Sequence, residues 1–329
     1  MFYTLMPKLR YGFGNQQVQT QVGIEYYYNP SNLGSIQFSG GKFVTQINET
    51  NPLTAFNNTY YTLLLSRNYL KIYEKTFVNF SHTFSPATDF LFTTDLDWSL
   101  RKPLQNLKHL EEKNNEFTSN HPKNEELSNT AFKAHQSFVT KVSLSWQYRY
   151  KRIRHRGKFK SISKYPMVSV SYTAAIPGFI ASDLSYQKIK IKIKDDFKIK
   201  GLGTSQYLLE TGSLISKDSI SFIDYKHFNG NKTVYDEFKI EKFQLLDYYQ
   251  NSTKTPYIEA HYQHRFKGFL FKKIPLINKT KLQSIISSNH LYTTSGGHYW
   301  ELGFGIENIL GKIRLDFYGS WIRGSFHNK

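Results

Sequence analysis

The chain has 329 residues, 43 Lys and Arg against 25 Asp and Glu, a formal net charge of +18 and no cysteine. The missing cysteine excludes a disulfide framework, a thiolate metal site and a cysteine nucleophile. No run approaches the roughly 18 apolar residues of a transmembrane helix, yet aromatic residues make up 16% of the chain while mean hydropathy is only −0.51. Such a composition fits β-structure that is apolar on one side better than an aliphatic soluble core. A barrel with lipid outside, water inside and aromatic girdles at both interfaces has that character.

In chain order, Met1 to Arg10 lacks a charged segment followed by an apolar one, so a secretory signal is expected upstream and the chain reads as N-terminally truncated. Strands are expected at Leu9 to Phe13, Val18 to Tyr28 and Ser35 to Ile47, with turns at Asn29-Pro30 and Gly40-Gly41. Pro52 to Leu70 has little period-2 pattern and reads as a short helix or an ordered loop. Lys71 to Phe84 and Phe90 to Leu100 follow as strands across a Ser85-Pro86 turn. Leu104 to Asn129, rich in Asn, Glu and Lys, reads as a long polar surface loop.

The clearest alternation runs from Lys141 to Tyr150. It puts Val142, Leu144, Trp146, Tyr148 and Tyr150 on one face and five polar residues on the other. After Pro166 to Ile176 and a Pro177-Gly178 turn, Ile189, Ile191 and Ile193 alternate with Lys188, Lys190, Lys192 and Lys194. A row of lysines opposite a row of isoleucines suits neither layer of a soluble sandwich, but it suits a strand between lipid and a wet lumen. Phe238 to Tyr249, Thr255 to Phe269, Leu282 to Leu291, Tyr299 to Ile306 and a closing strand at Gly311 to Trp321 bring the expectation to about twelve strands.

Candidate chemistry is thin. Glu259 and His261 share a strand face, whereas His264 points the other way, so these are two potential ligands and not a zinc site. Gly201-Leu202-Gly203 and Gly303-Phe304-Gly305 lack the third glycine and the helix of a phosphate loop, and read instead as strand bends or close packing against an aromatic ring. No Gly-x-Ser-x-Gly elbow is present. No catalytic residue, cofactor or metal site is therefore expected.

The sharpest charge cluster comprises Lys151, Arg152, Arg154, Arg156 and Lys158. It directly follows the Trp146 strand and reads as a hairpin at the membrane surface, where it meets lipopolysaccharide or phospholipid phosphates in preference to nucleic acid. In the closing strand, Ile313, Leu315, Phe317 and Trp321 form a candidate signal for the barrel-assembly machinery, which recognises an exposed strand edge.

Five stretches carry a resemblance to a known family. They are Arg67 to Lys75, Asp224 to Asn231, Phe243 to Tyr249, Tyr257 to Ile277 and Glu301 to Asn308. Together they resemble an uncharacterised family of outer-membrane β-barrels from Bacteroidetes-type bacteria. In longer relatives this barrel follows a carboxypeptidase-regulatory-like domain. The closing hairpins are similar to those of BamA/TamA-type assembly barrels, whose strand number implies that the N-terminal part of the barrel is missing here.

The expectation is an all-β, antiparallel transmembrane β-barrel of the outer membrane, one domain over residues 1–329, incomplete at its N-terminus. Its expected role is envelope transport or outer-membrane assembly without catalysis. The rival reading is a soluble, basic all-β module that binds nucleic acid or glycan.

Overall fold

The structure, a computed structural model, describes residues 2–12, 16–105, 120–155, 158–234, 238–268, 271, 275, 280–322 and 325–328. One antiparallel sheet of 14 strands dominates it. In ladder order these are β1 (Phe2–Gly12), β2 (Gln17–Asn29), β3 (Gly34–Gln46), β4 (Ile72–Phe84), β5 (Phe90–Pro103), β6 (His135–Gln147), β9 (Met167–Ala175), β10 (Ser185–Ile199), β11 (Gly203–Ser219), β12 (Tyr257–Arg265), β13 (Gln283–Thr293), β14 (Gly297–Ile309), β15 (Ile313–Ile322) and β16 (Ser325–Asn328). A separate hairpin, β7 (Lys151–His155) with β8 (Lys158–Ile162), is inserted between β6 and β9. The helix α1 (Ala55–Leu65) lies between β3 and β4.

Every sheet strand pairs with its sequence neighbour in the ladder, which is the up-and-down order of a barrel. The two faces differ as period-2 patterning requires. On β10, Ile189 and Ile191 are exposed while Lys188, Lys190 and Lys192 turn inward beside the buried Tyr186. On β14, Trp300, Leu302 and Phe304 are exposed while Tyr299 and Glu301 are buried. The ordinary rule of apolar inside and polar outside is inverted over most of the sheet. The buried polar residues Ser99, Ser137, Glu210, Glu259, His261, Gln263, Asn289 and Glu301 all belong to the inward face. The fold is an antiparallel β-barrel of the outer-membrane type.

The strands also have two chemically distinct ends. Long connections, holding α1 and residues 220–256, leave from one end; tight turns at 30–33, 85–89, 200–202 and 310–312 lie at the other, which also carries the β7–β8 insertion. Near the short-turn end, aromatic rings follow one another from strand to strand. Tyr3 stacks on Tyr26 at 4.8 Å, Tyr28 meets His82, His82 stacks on Phe84, and Phe84 meets Phe92. The row continues through Trp146, Tyr148 and Tyr165. At the long-loop end Trp300 lies opposite Trp321 and packs on His290 at 4.0 Å. Two such girdles bracket the apolar band of a membrane barrel.

Several expectations need correction. Phe238 to Tyr249 is not a strand, because its backbone amides at 244–246 are taken by the Glu301 carboxylate and not by a ladder partner. β11 went unanticipated; its Leu208-Leu209 doublet and Thr211-Gly212-Ser213 run hide the alternation. Gly40-Gly41 is no turn. It lies inside β3, where Gly41 adopts φ +150 and a Cβ would stand 2.2 Å from the Thr20 carbonyl oxygen, so only glycine lets the strands approach. The β6 alternation ends at Gln147, since Arg149 takes a left-handed φ of 50 in the turn, and Tyr148 and Tyr150 are outside the strand. The sheet does not end with β15, because β16 pairs beyond it.

The remaining readings meet the structure in part. The Pro52 to Leu70 stretch contains a helix, capped by the Thr54 side chain on the Asn57 amide. Of the expected surface loop, 106–119 lie outside the described residues. Its described end is docked, with Asn120 bonded to Ile72 and Leu104, and Asn124 to the carbonyls of Tyr249, Gln250 and Ser252.

Candidate functional site

The described residues of the segment 220–256, between β11 and β12, fold into the lumen and occupy much of it. Its apolar residues make the interior that the strands lack. Phe222, Ile223, Tyr225 and Tyr249 pack on Ile47 and Tyr73. Phe228, Phe243 and Leu246 pack on Tyr257, Leu291 and Tyr299. Because the described residues of the segment carry little regular structure beyond one short turn, Phe222–Asp224, and an isolated bridge between Lys226 and Thr253, its backbone groups need partners from the wall. The inward polar residues of the barrel supply them.

Two anchor points stand out. On one side, Arg101 of β5 pairs with Asp224 at 2.7 Å, and Tyr186 of β10 donates to the same carboxylate at 2.9 Å. On the other, a continuous network crosses β11 to β14. Lys226 bridges Glu210 at 2.5 Å and Glu259 at 2.8 Å. Glu259 contacts His261 at 3.0 Å, His261 contacts Asn289 at 2.9 Å, and Asn289 donates to Glu301 at 2.8 Å. Glu301 then accepts the amides of Gln244, Leu245 and Leu246 and the Tyr299 hydroxyl. Beyond this network, Arg314 of β15 lies over the Phe238 ring at 3.8 Å. A sheet whose strands β5 and β15 both reach one segment must curl around it.

Electrostatics suit permanent docking. Burial works to lower the Lys226 pKa, but the carboxylates of Glu259 and Glu210 hold it above the ordinary lysine range. Burial pushes His227 down to about 4; its ring contacts Ser252 Oγ at 2.8 Å and the Ile223 carbonyl at 3.3 Å. Burial similarly pushes Lys242 down to about 8, and its ammonium donates to the Pro52 carbonyl. Beneath the segment remains a cavity of about 430 Å³, lined by inward residues of β3 to β6 and β9 to β12, by the 47–50 connection and by the segment itself.

The residues singled out from sequence fall in different places. Glu259 and His261 face the lumen as links in the anchoring network, while His264 points outward and meets Ser205 Oγ at 2.8 Å under Phe266. Among the described residues no three His, Asp or Glu gather as metal ligands. Gly303 lies against the Tyr318 ring, where a Cβ would come within 2.3 Å. Ile313, Leu315 and Phe317 are exposed on the outward face of β15, with Trp321 on the same face. The basic cluster forms the β7–β8 hairpin at the short-turn end, opposite α1 and the lumenal segment. Arg156 lies outside the described residues.

Sequence reasoning missed the anchors Arg101, Asp224, Lys226, Asn289 and Glu301. The one available signal was charge on strand faces otherwise lined by Ser and Asn, as with Glu301 between Trp300 and Leu302.

Comparison with known proteins agrees with this architecture. The chain is similar to the crystal structure of BamA from Haemophilus ducreyi lacking POTRA domains 1-3, with a TM-score of 0.52 at 10% identity. The match covers 95% of this chain and 60% of that one, so the chain spans less than two thirds of its length. No curated protein matches the chain. Residues 1–306 match the model described as Family of unknown function (DUF5686) C-terminal domain. The chain belongs to that family.

Proposed function

We propose that this chain is an outer-membrane β-barrel of the bacterial envelope that serves outer-membrane assembly or transport and catalyses no reaction. The observation that carries the reading is the inverted barrel with its lumen occupied by its own 220–256 segment. An apolar outward band with aromatic rows at both ends matches a bilayer. A lumen crossed by buried ion pairs does not match an open diffusion pore. Likeness to the BamA barrel gives the assembly side of the proposal its weight, at the level of fold alone.

Two partner assignments belong to this reading. The β7–β8 hairpin, with Lys151, Arg152, Arg154, Arg156 and Lys158 in its sequence, meets lipid phosphates at the short-turn side of the membrane. Lipopolysaccharide is its partner only if that side faces outward. The barrel-assembly machinery reads the terminal strands around Ile313, Leu315, Phe317 and Trp321.

The test is fractionation of cells expressing the chain behind a secretory signal, with gel migration before and after heating and planar-bilayer recording. Outer-membrane recovery, heat-dependent migration and near-zero conductance that opens on replacing 226–252 with a short glycine linker are expected. Recovery in the soluble fraction, or steady conductance of the intact chain, contradicts the reading. Deletion from Gly311 onward should abolish recovery in the outer membrane.

A further inference from the structure

The cavity beneath the lumenal segment has an uneven charge distribution. β6, β9 and β10 are neighbours, and their registers place Lys141, Thr173 and Lys188 in one row across three strands. The next row is Ser143, Ser171 and Lys190. Lys141, Ser171, Thr173, Lys188 and Lys190 all line the cavity. Adjacent strands are about 4.8 Å apart, so ammonium groups from β6 and β10 flank a floor of hydroxyls. Both kinds of group donate, and neither offers a competing negative charge.

Most nearby carboxylates are engaged elsewhere. Asp97 pairs with Lys75 at 2.8 Å, Asp224 with Arg101 at 2.7 Å and Glu241 with Lys192 at 3.1 Å. Glu210 and Glu259 share Lys226. Asp95 stands opposite Lys141 in the β5–β6 register, but among the described residues no ion pair within 4.0 Å joins them. Lys188 donates to the Asp224 carbonyl at 3.5 Å and lies over the Tyr186 ring. Besides Asp95, the carboxylate that remains is Glu49, which enters from the β3–α1 connection and is exposed to the cavity. Burial works to raise its pKa, yet Lys188, Lys141 and Lys190 together hold the carboxyl down at about 2. The lysines therefore already favour an anion where they meet.

We propose that Lys141, Lys188 and Lys190, with Thr173 and Ser171, form a lumenal oxyanion site for phosphate, free or as a small phosphate ester, with Glu49 as a built-in competitor. A phosphate offers several acceptor oxygens to three ammonium and two hydroxyl groups, through charge-assisted hydrogen bonds. The site lies under the docked segment, so it takes a water-borne solute from within the lumen. This goes beyond the assembly or transport reading and needs only the folded barrel.

Calorimetric titration of the purified full chain in neutral detergent, with inorganic phosphate and separately with glycerol 3-phosphate, tests it. Saturable binding is expected, weakened about tenfold by Lys141→Gln and by Lys190→Gln, and tightened about tenfold by Glu49→Gln. The tighter of the two ligands identifies the source as free phosphate or an ester headgroup. A variant that merely misfolds weakens binding in all three cases, so the opposite sign at Glu49 separates a site from damage. No saturable binding by either the parent chain or Glu49→Gln overturns the proposal. So does binding that the lysine substitutions leave unchanged.

Discussion

Arg101 on β5 and Asp224 in the lumenal segment pair at 2.7 Å, both withdrawn from solvent, with Tyr186 as third partner. Removing one member strands a buried charge, which costs about 3–5 kcal/mol, whereas removing both costs far less than the sum. Arg101→Met and Asp224→Asn should each lower the denaturation midpoint strongly, and the double variant should recover part of the loss. Additive losses in the double-mutant cycle mean that the pair does not act as a unit.

Glu301 is the sharpest case of a side chain that substitutes for secondary structure. It accepts three consecutive amides, at 2.8, 2.8 and 3.1 Å. Glu301→Ala leaves those donors without partners in a dry setting, a loss of about 3 kcal/mol or more. Hydrogen exchange at residues 244–246 should accelerate more than a hundredfold, while exchange in β4 to β6 stays unchanged. Uniform acceleration across the sheet indicates global unfolding and not release of the segment.

Acid should loosen the lumenal segment before it loosens the sheet. His227 has its pKa lowered from 6.5 to about 4 by burial, so the undocked state binds the proton first. The stabilisation is fully present above pH 6.5 and is lost as pH falls through about 4, amounting to about 3 kcal/mol. Exchange protection around residues 223–253 should decline over that window. His227→Asn should flatten the decline; an unchanged slope in this variant places the titration on another group.

The two faces of β10 make opposite predictions for charge. Ile191 is exposed on the outward face, and Ile191→Arg should cost about 2–4 kcal/mol if that face meets lipid at mid-bilayer. Insertion into liposomes during refolding is the measurement. Lys192→Gln, on the inward face, should insert normally. Equal insertion of both variants means that the isoleucine face is solvated.

Legibility followed the physics of each element. Where one face meets lipid and the other water, alternation is strong, and β6, β10 and β15 were readable from Trp146, the Lys–Ile rows and Ile313 to Phe317. β11 was not, because its Leu208-Leu209 doublet and Thr211-Gly212-Ser213 run break the alternation. The lumenal segment itself was the least readable part. Phe243 and Leu246 carry the apolar signature of a strand, but the Phe243 amide donates to the Asn229 carbonyl and the Leu246 amide to Glu301, about 55 positions away in sequence. Local pattern contains no trace of a hydrogen bond made at that distance. For the same reason Glu259 and His261 were recognised as sharing a face, while their place between Lys226 and Asn289 was not.

The central claim is that the outward face of this barrel lies in lipid. Its four tryptophans are suited to test it, since Trp98, Trp146, Trp300 and Trp321 all belong to outward strand faces. The direct measurement is quenching of tryptophan fluorescence by bromine-labelled acyl chains in proteoliposomes of the refolded chain. Strong quenching, with little additional quenching from aqueous iodide, is the predicted result. Efficient iodide quenching with no effect of the brominated lipid contradicts the account.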